Sequence, residues 1–220
     1  MKVTKTVKYR CILTEETLEK DIEEFIKDAR RGDFSWDAKH GSFGLRIIKQ
    51  YFKLLQNKFD NNELTECMEC YHRLILFLLD SSTGKDKANF GYDDLLAKTS
   101  NNFDEFINNY FTCLVNVCNL EELAEKIAEY ASKLQGYGFE PDKIILLKKL
   151  NQEQLNKLEQ RILVKVTGMT EKDEDKQDIL HFLIGLAEKQ RDRDKYMQLV
   201  SKFEGVLDKE ELECLREEYE

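Results

Sequence analysis

Pro141 is the only proline among 220 residues, and there are just ten glycines. A β fold of many strands needs a turn residue every few positions, and this chain does not supply them. Long helices joined by short polar links need few. The apolar residues agree with that choice. Leu18, Ile22, Phe25, Ile26 and Ala29 fall at spacings of three and four, which places them on one helical face. Thr14 can cap this helix, acidic Glu15 and Glu16 suit its positive end, and Gly32 can close it in the left-handed conformation. The predicted span is 15–31.

The same reading carries along the chain. A second helix is expected at 42–57 and a third at 63–80, joined by Asp60, Asn61 and Asn62 and so antiparallel neighbours. The third contains the longest apolar run, Leu74, Ile75, Leu76, Phe77, Leu78 and Leu79. A helix apolar on every side must be covered on every side, so this helix is expected at the centre of the fold. A polar link over 81–91 precedes a helix at 92–117, broken at Ser100-Asn101-Asn102. Asn119 with Glu122, and Asn151 with Gln154, have capping-box spacing and start helices to about 135 and 166. Pro141 opens a short helix to about 149. Helices near 173–189, 193–204 and 209–219 complete about nine, with Asp208 and Glu211 capping the last.

This rhythm predicts an all-α fold of stacked antiparallel αα-hairpins, a short α-solenoid of the tetratricopeptide or HEAT kind. No exact repeat is visible, and an irregular helical bundle is the alternative. Residues 1–13 are read as an extended or disordered arm, and 14–220 as a single domain with a candidate sub-boundary at 136–141.

Three stretches carry a likeness to a known group. They are Ile26-Lys27-Asp28-Ala29-Arg30-Arg31-Gly32-Asp33-Phe34-Ser35-Trp36, then Leu74 to Asp80 followed by Phe90-Gly91-Tyr92-Asp93-Asp94-Leu95-Leu96, then Leu120-Glu121-Glu122-Leu123-Ala124-Glu125-Lys126-Ile127. Their order and spacing resemble the helical region that follows the SWIM-type zinc finger in a group of bacterial proteins. The resemblance spans about residues 18–200 and implies a helical-repeat accessory region. The finger's Cys-x-Cys and Cys-x-His are absent, so no zinc-binding or DNA-binding residue carries over.

Charge and hydropathy narrow the function classes. The formal net charge is -9, with acidic and basic residues interleaved as on solvated helix faces. Nucleic-acid binding wants a basic footprint, which this balance argues against. The run at 74–79 is too short for a bilayer, which needs about 20 apolar residues. The start of the chain, Met1 to Arg10, has no apolar core of a secretory signal. A cytoplasmic location and reduced cysteines are therefore expected.

Cys67 and Cys70 share a helix face and form the one metal-like local pattern; Cys113 and Cys118 are the candidates to complete a tetrahedral zinc site. Zinc usually takes Cys-x-x-Cys from a tight turn, and this pair lies within a predicted helix. Core packing is the preferred reading. Gly136-Tyr137-Gly138 lacks the third glycine of a dinucleotide loop, and Asp173, Asp175 and Gln177 lack the glycine and glutamate of a calcium loop. Gly41-Ser42-Phe43-Gly44 is no nucleophile elbow. His40, His72 and His181 are scattered, and nothing marks a pair of carboxylates for acid–base work. Phe34, Trp36, Tyr92 and Tyr137 lie in links, as plugs over helix ends or as partner contacts.

The resulting expectation is a non-catalytic interaction or scaffold module, with no cofactor and with a protein or sister domain as its partner. An accessory domain of a metal- or nucleic-acid-associated system is one alternative. An enzyme whose site is assembled from distant residues is the other.

Overall fold

The computed structural model describes residues 18–34, 38–92, 95–100, 102–135, 143–170, 174–206, 212–214 and 216. The arm at 1–13, the cap at Thr14, the candidate sub-boundary at 136–141 and the cap pair Asp208 and Glu211 lie outside them. Every regular element among the described residues is a helix, so the fold is all-α. The chain divides into two compact units, Met1–Val117 and Cys118–Glu220.

The first unit holds α1 (Leu18–Arg30), α2 (Ala38–Asp60), α3 (Leu64–Ser82), α4 (Leu95–Thr99) and α5 (Phe103–Val117). In α1 the periodic residues Leu18, Ile22, Phe25, Ile26 and Ala29 are all buried. Acidic Glu19 and Asp21 occupy its first turn and basic Lys27 and Arg30 its last, each favoured by the helix dipole. Gly32 closes it at φ 81°. Its amide donates to the Ala29 carbonyl and the Asp33 amide donates to the Asp28 carbonyl, the paired bonds of a Schellman stop. Asn62 ends α2 the same way, at φ 64°. Beside it the ammonium of Lys58, 4% exposed, donates to Glu63 and Glu66 at 2.9 Å each. That pair of charge-assisted bonds fastens the end of α2 to the start of α3.

α3 is the centre of this unit, and all four other helices touch it. Leu74, Ile75, Phe77, Leu78 and Leu79 are buried, and Leu76 is half-buried. Hence the all-round apolar run is covered as its pattern requires. The expected break between α4 and α5 is present: the Ser100 hydroxyl accepts from the Asn102 amide at 3.0 Å.

A cluster of rings joins α1, α2, α3 and the following link. Phe90 in that link stacks with Phe25 and Phe34 at 6.1 Å each and meets Phe77 edge-on at 6.0 Å. Gly44 on α2 makes room for it. A Cβ there would lie 2.6 Å from the Phe90 ring.

The second unit holds α6 (Leu120–Gln135), α7 (Lys143–Lys149), α8 (Gln152–Gly168), α9 (Glu174–Gln190) and α10 (Arg193–Lys202). Both expected capping boxes form. The Asn119 side chain accepts from the Glu121 and Glu122 amides, and the Glu122 carboxylate accepts from the Asn119 amide. Asn151 and Gln154 are paired reciprocally at the start of α8. Here α9 is the central helix, touched by α6, α7, α8 and α10. Ile179, Leu180, Phe182, Leu183, Ile184, Leu186 and Ala187 are all buried along it. Arg191 ends α9 in the left-handed region at φ 57°, with the two bonds of a Schellman stop. Within the expected last helix, Leu212 packs with Ile184, Ala187, Tyr196 and Val200.

Candidate functional site

Three of the cysteines are core residues. Cys67, Cys70 and Cys113 are buried, and desolvation pushes each thiol up to about 12. A thiol held protonated is neither a nucleophile nor a ready metal ligand. Cys67 instead donates weakly to the Leu55 carbonyl at 3.7 Å. Cys118 is half-buried and Cys214 exposed. Among the described residues no three or more His, Cys, Asp or Glu side chains are grouped to hold a metal ion. Alkylation under native conditions should therefore modify Cys214 and leave Cys67, Cys70 and Cys113 unlabelled until denaturant is added, as read by peptide mass spectrometry. Rapid native labelling of Cys67 together with Cys70 is the result that contradicts a packed core. Stoichiometric zinc lost on Cys67→Ser would contradict it too.

His72 Nδ1 lies 3.1 Å from the Tyr110 hydroxyl, in a polar seam where Asn109 donates to Gln56 at 2.7 Å. His181 lies on α9, and the backbone of His40 lies in the first turn of α2. Asp175 and Gln177 occupy the start of α9. Burial raises the carboxyl of nearby Asp178 above the ordinary carboxylate range. Asp173, Gly136, Tyr137, Gly138 and Trp36 lie outside the described residues. Phe34 is 2% exposed and stacked within the ring cluster, so it plugs the end of α1 and is closed to a partner. Tyr92 is half-buried and borders a cleft of about 460 Å³ against the loop that follows α3.

The second unit presents a surface that sequence reasoning passed over. The inner side of α8 buries Leu155, Leu158, Ile162 and Val166. Its outer side carries Val164, 72% exposed. A cleft lies along each flank. One, of about 390 Å³, is walled by α8, α9 and α10, with Leu163, Leu183 and Leu199 as its apolar surface. At its polar edge Lys195 donates to Glu159 at 2.8 Å, and Gln190 donates to the other oxygen of that carboxylate. The other, of about 690 Å³, is a groove between α6 and α8 that includes Leu120, Ala124 and Val164. Gln160 borders both.

The groove walls differ in charge. Lys157, Arg161 and Lys165 stand four residues apart on α8, and at about 100° per residue they share one flank. Glu121 and Glu125 stand four apart on α6. One ion pair crosses the groove, Arg161 to Glu121 at 3.3 Å, with both side chains well exposed. Lys157 pairs along its own helix with Glu153 at 2.6 Å. Such exposed pairs contribute at most about 1 kcal/mol and are readily exchanged. The sequence signal for this site is a β-branched residue on the polar side of a helix beside charges at regular spacing.

The geometry is thus that of an all-α protein with a ridged, clefted helix face in its second unit. Comparison with protein-family models, curated proteins and solved structures gives no match.

Proposed function

We propose that this chain is a non-catalytic protein-interaction module and that the outer side of α8 is its contact face. The observation that carries the reading is the exposed Val164 on a helix with a cleft on either side. Valine is a poorer helix former than the lysines and glutamates around it, and its side chain here adds nothing to the core. Clefts give a partner's side chains somewhere to insert, which a smooth polar helix face does not. The buried, protonated thiols give no competing support for catalysis. Among the described residues no helix is long and apolar enough to cross a membrane.

A photo-crosslinking residue placed at Gln160 tests this in cells, with the same residue at exposed Lys53 on α2 as control. The expected result is a discrete protein adduct at Gln160, absent at Lys53 and abolished by Val164→Glu. That substitution is on the surface, so it should change stability by no more than about 0.5 kcal/mol. Adducts that survive Val164→Glu, or that form equally at Lys53, would remove α8 as the contact face.

A further inference from the structure

We infer that the groove between α6 and α8 receives an amphipathic helix from a protein partner, one with an acidic row along one flank of its apolar seam and a basic row along the other. This deepens the interaction reading and rests on it. The groove has an apolar lining in Leu120, Ala124 and Val164, extended by the aliphatic stems of Lys157, Arg161 and Lys165. Its α8 wall is basic and its α6 wall acidic. A third helix lying in such a groove turns one flank to each wall. Opposite charges on the facing flanks set partner and orientation, as the positions beside a coiled-coil seam do. Lys157 to Lys165 covers about 12 Å of helix axis, a little over two turns, which suits a short helical segment.

The charge pattern disfavours other occupants. A nucleic-acid backbone or an anionic membrane surface is drawn to the α8 wall but repelled by Glu121 and Glu125. A wholly acidic or wholly basic helix satisfies one wall and opposes the other. A second copy of this chain can set acidic walls against basic ones about a two-fold axis running along the groove. That arrangement places hollow against hollow, however, and leaves space that close packing does not tolerate. A single helix fills the space instead.

The test uses the full chain and three labelled synthetic helical peptides with one leucine–alanine seam. Their flanks carry glutamate on one side and lysine on the other, glutamate on both, or lysine on both. By fluorescence anisotropy at low salt the mixed peptide should bind at least about tenfold tighter than either uniform one, and added salt should shrink the difference. Reversing the α8 wall with Lys157→Glu, Arg161→Glu and Lys165→Glu together should shift preference at least about tenfold toward the all-lysine peptide. All three residues are exposed, and circular dichroism checks that the fold survives. Lys165→Glu alone should move the preference the same way by a smaller factor.

Equal binding of all three peptides, or no swing on reversal, overturns the proposed partner chemistry. The Gln160 crosslink then reports separately whether the contact face stands. Failure of every peptide to bind while that crosslink persists shows that the occupant is not a helix, and overturns the inference as well. So does a concentration-dependent dimer, seen by light scattering, that the wall reversal dissolves, because the occupant is then a second copy.

Discussion

Leu78→Ala is expected to cost about 2–5 kcal/mol, the range for truncating a fully buried leucine. Leu78 is 0% exposed on α3, the helix that α1, α2, α4 and α5 all touch. A hole at that position faces several elements at once, and none can move into it without leaving another. For a chain of this size each kcal/mol lowers the melting temperature by about 2–4 °C. Total domain stability is usually about 5–15 kcal/mol, so the loss should be plain in a melting curve. Val164→Ala is the control, and should shift stability by no more than about 0.5 kcal/mol because Val164 is 72% exposed. If Leu78→Ala melts with the wild type, α3 is not the packed centre of its unit.

Gly44→Ala should also destabilise, against what helix propensity alone predicts. Alanine inside a helix is ordinarily favoured over glycine by about 1 kcal/mol. At this position the new Cβ would stand 2.6 and 2.7 Å from two atoms of the Phe90 ring and 3.2 Å from Cβ of Phe34. The ring cannot swing clear, because Phe25, Phe34 and Phe77 hold it on other sides. Overpacking of this kind costs about 1–3 kcal/mol and should exceed the propensity gain. Gly168 is the contrast: nothing lies within 4 Å of a Cβ built there, so Gly168→Ala should be neutral or stabilising. Phe90→Leu shortens the obstructing side chain, and the double variant should lose less than the sum of the single losses. A Gly44→Ala protein that melts higher than wild type, as Gly168→Ala is allowed to, would show that the ring does not press on α2. Gly185 lies between these cases. A Cβ there meets the far end of the Lys143 side chain, a flexible chain rather than a ring held on several sides, so Gly185→Ala should cost less than Gly44→Ala.

These sites show where the sequence was legible. The capping boxes at Asn119 and Asn151, the break at 100–102 and the central place of α3 were all readable, since each depends on a few adjacent residues. The second central helix was not. Residues 179–187 of α9 are nearly all apolar, like 74–79, but His181 and Gly185 interrupt the run. The expected start of α2 at 42 is late, since the helix begins at Ala38; Gly44 lies inside the expected span and makes room there for Phe90. The left-handed stop at Gly32 was visible in its residue type, while that at Arg191 was not, since arginine has no such preference. The charged groove could not be seen from one helix at a time. Its walls come from α6 and α8, and in sequence each wall looks like an ordinary solvated face.

The two central helices also hold different places in the order of synthesis. In the first unit α3 emerges directly after α1 and α2, and their apolar sides gain a partner at once. In the second unit α6 and α8 are made before α9. At roughly 5–20 residues per second, about seventy residues separate the start of α6 from the end of α9, so the part of its buried face that meets α9 waits several seconds to be covered. A nascent chain paused between α8 and α9 therefore leaves the apolar sides of α6 and α8 that meet α9 open to a chaperone.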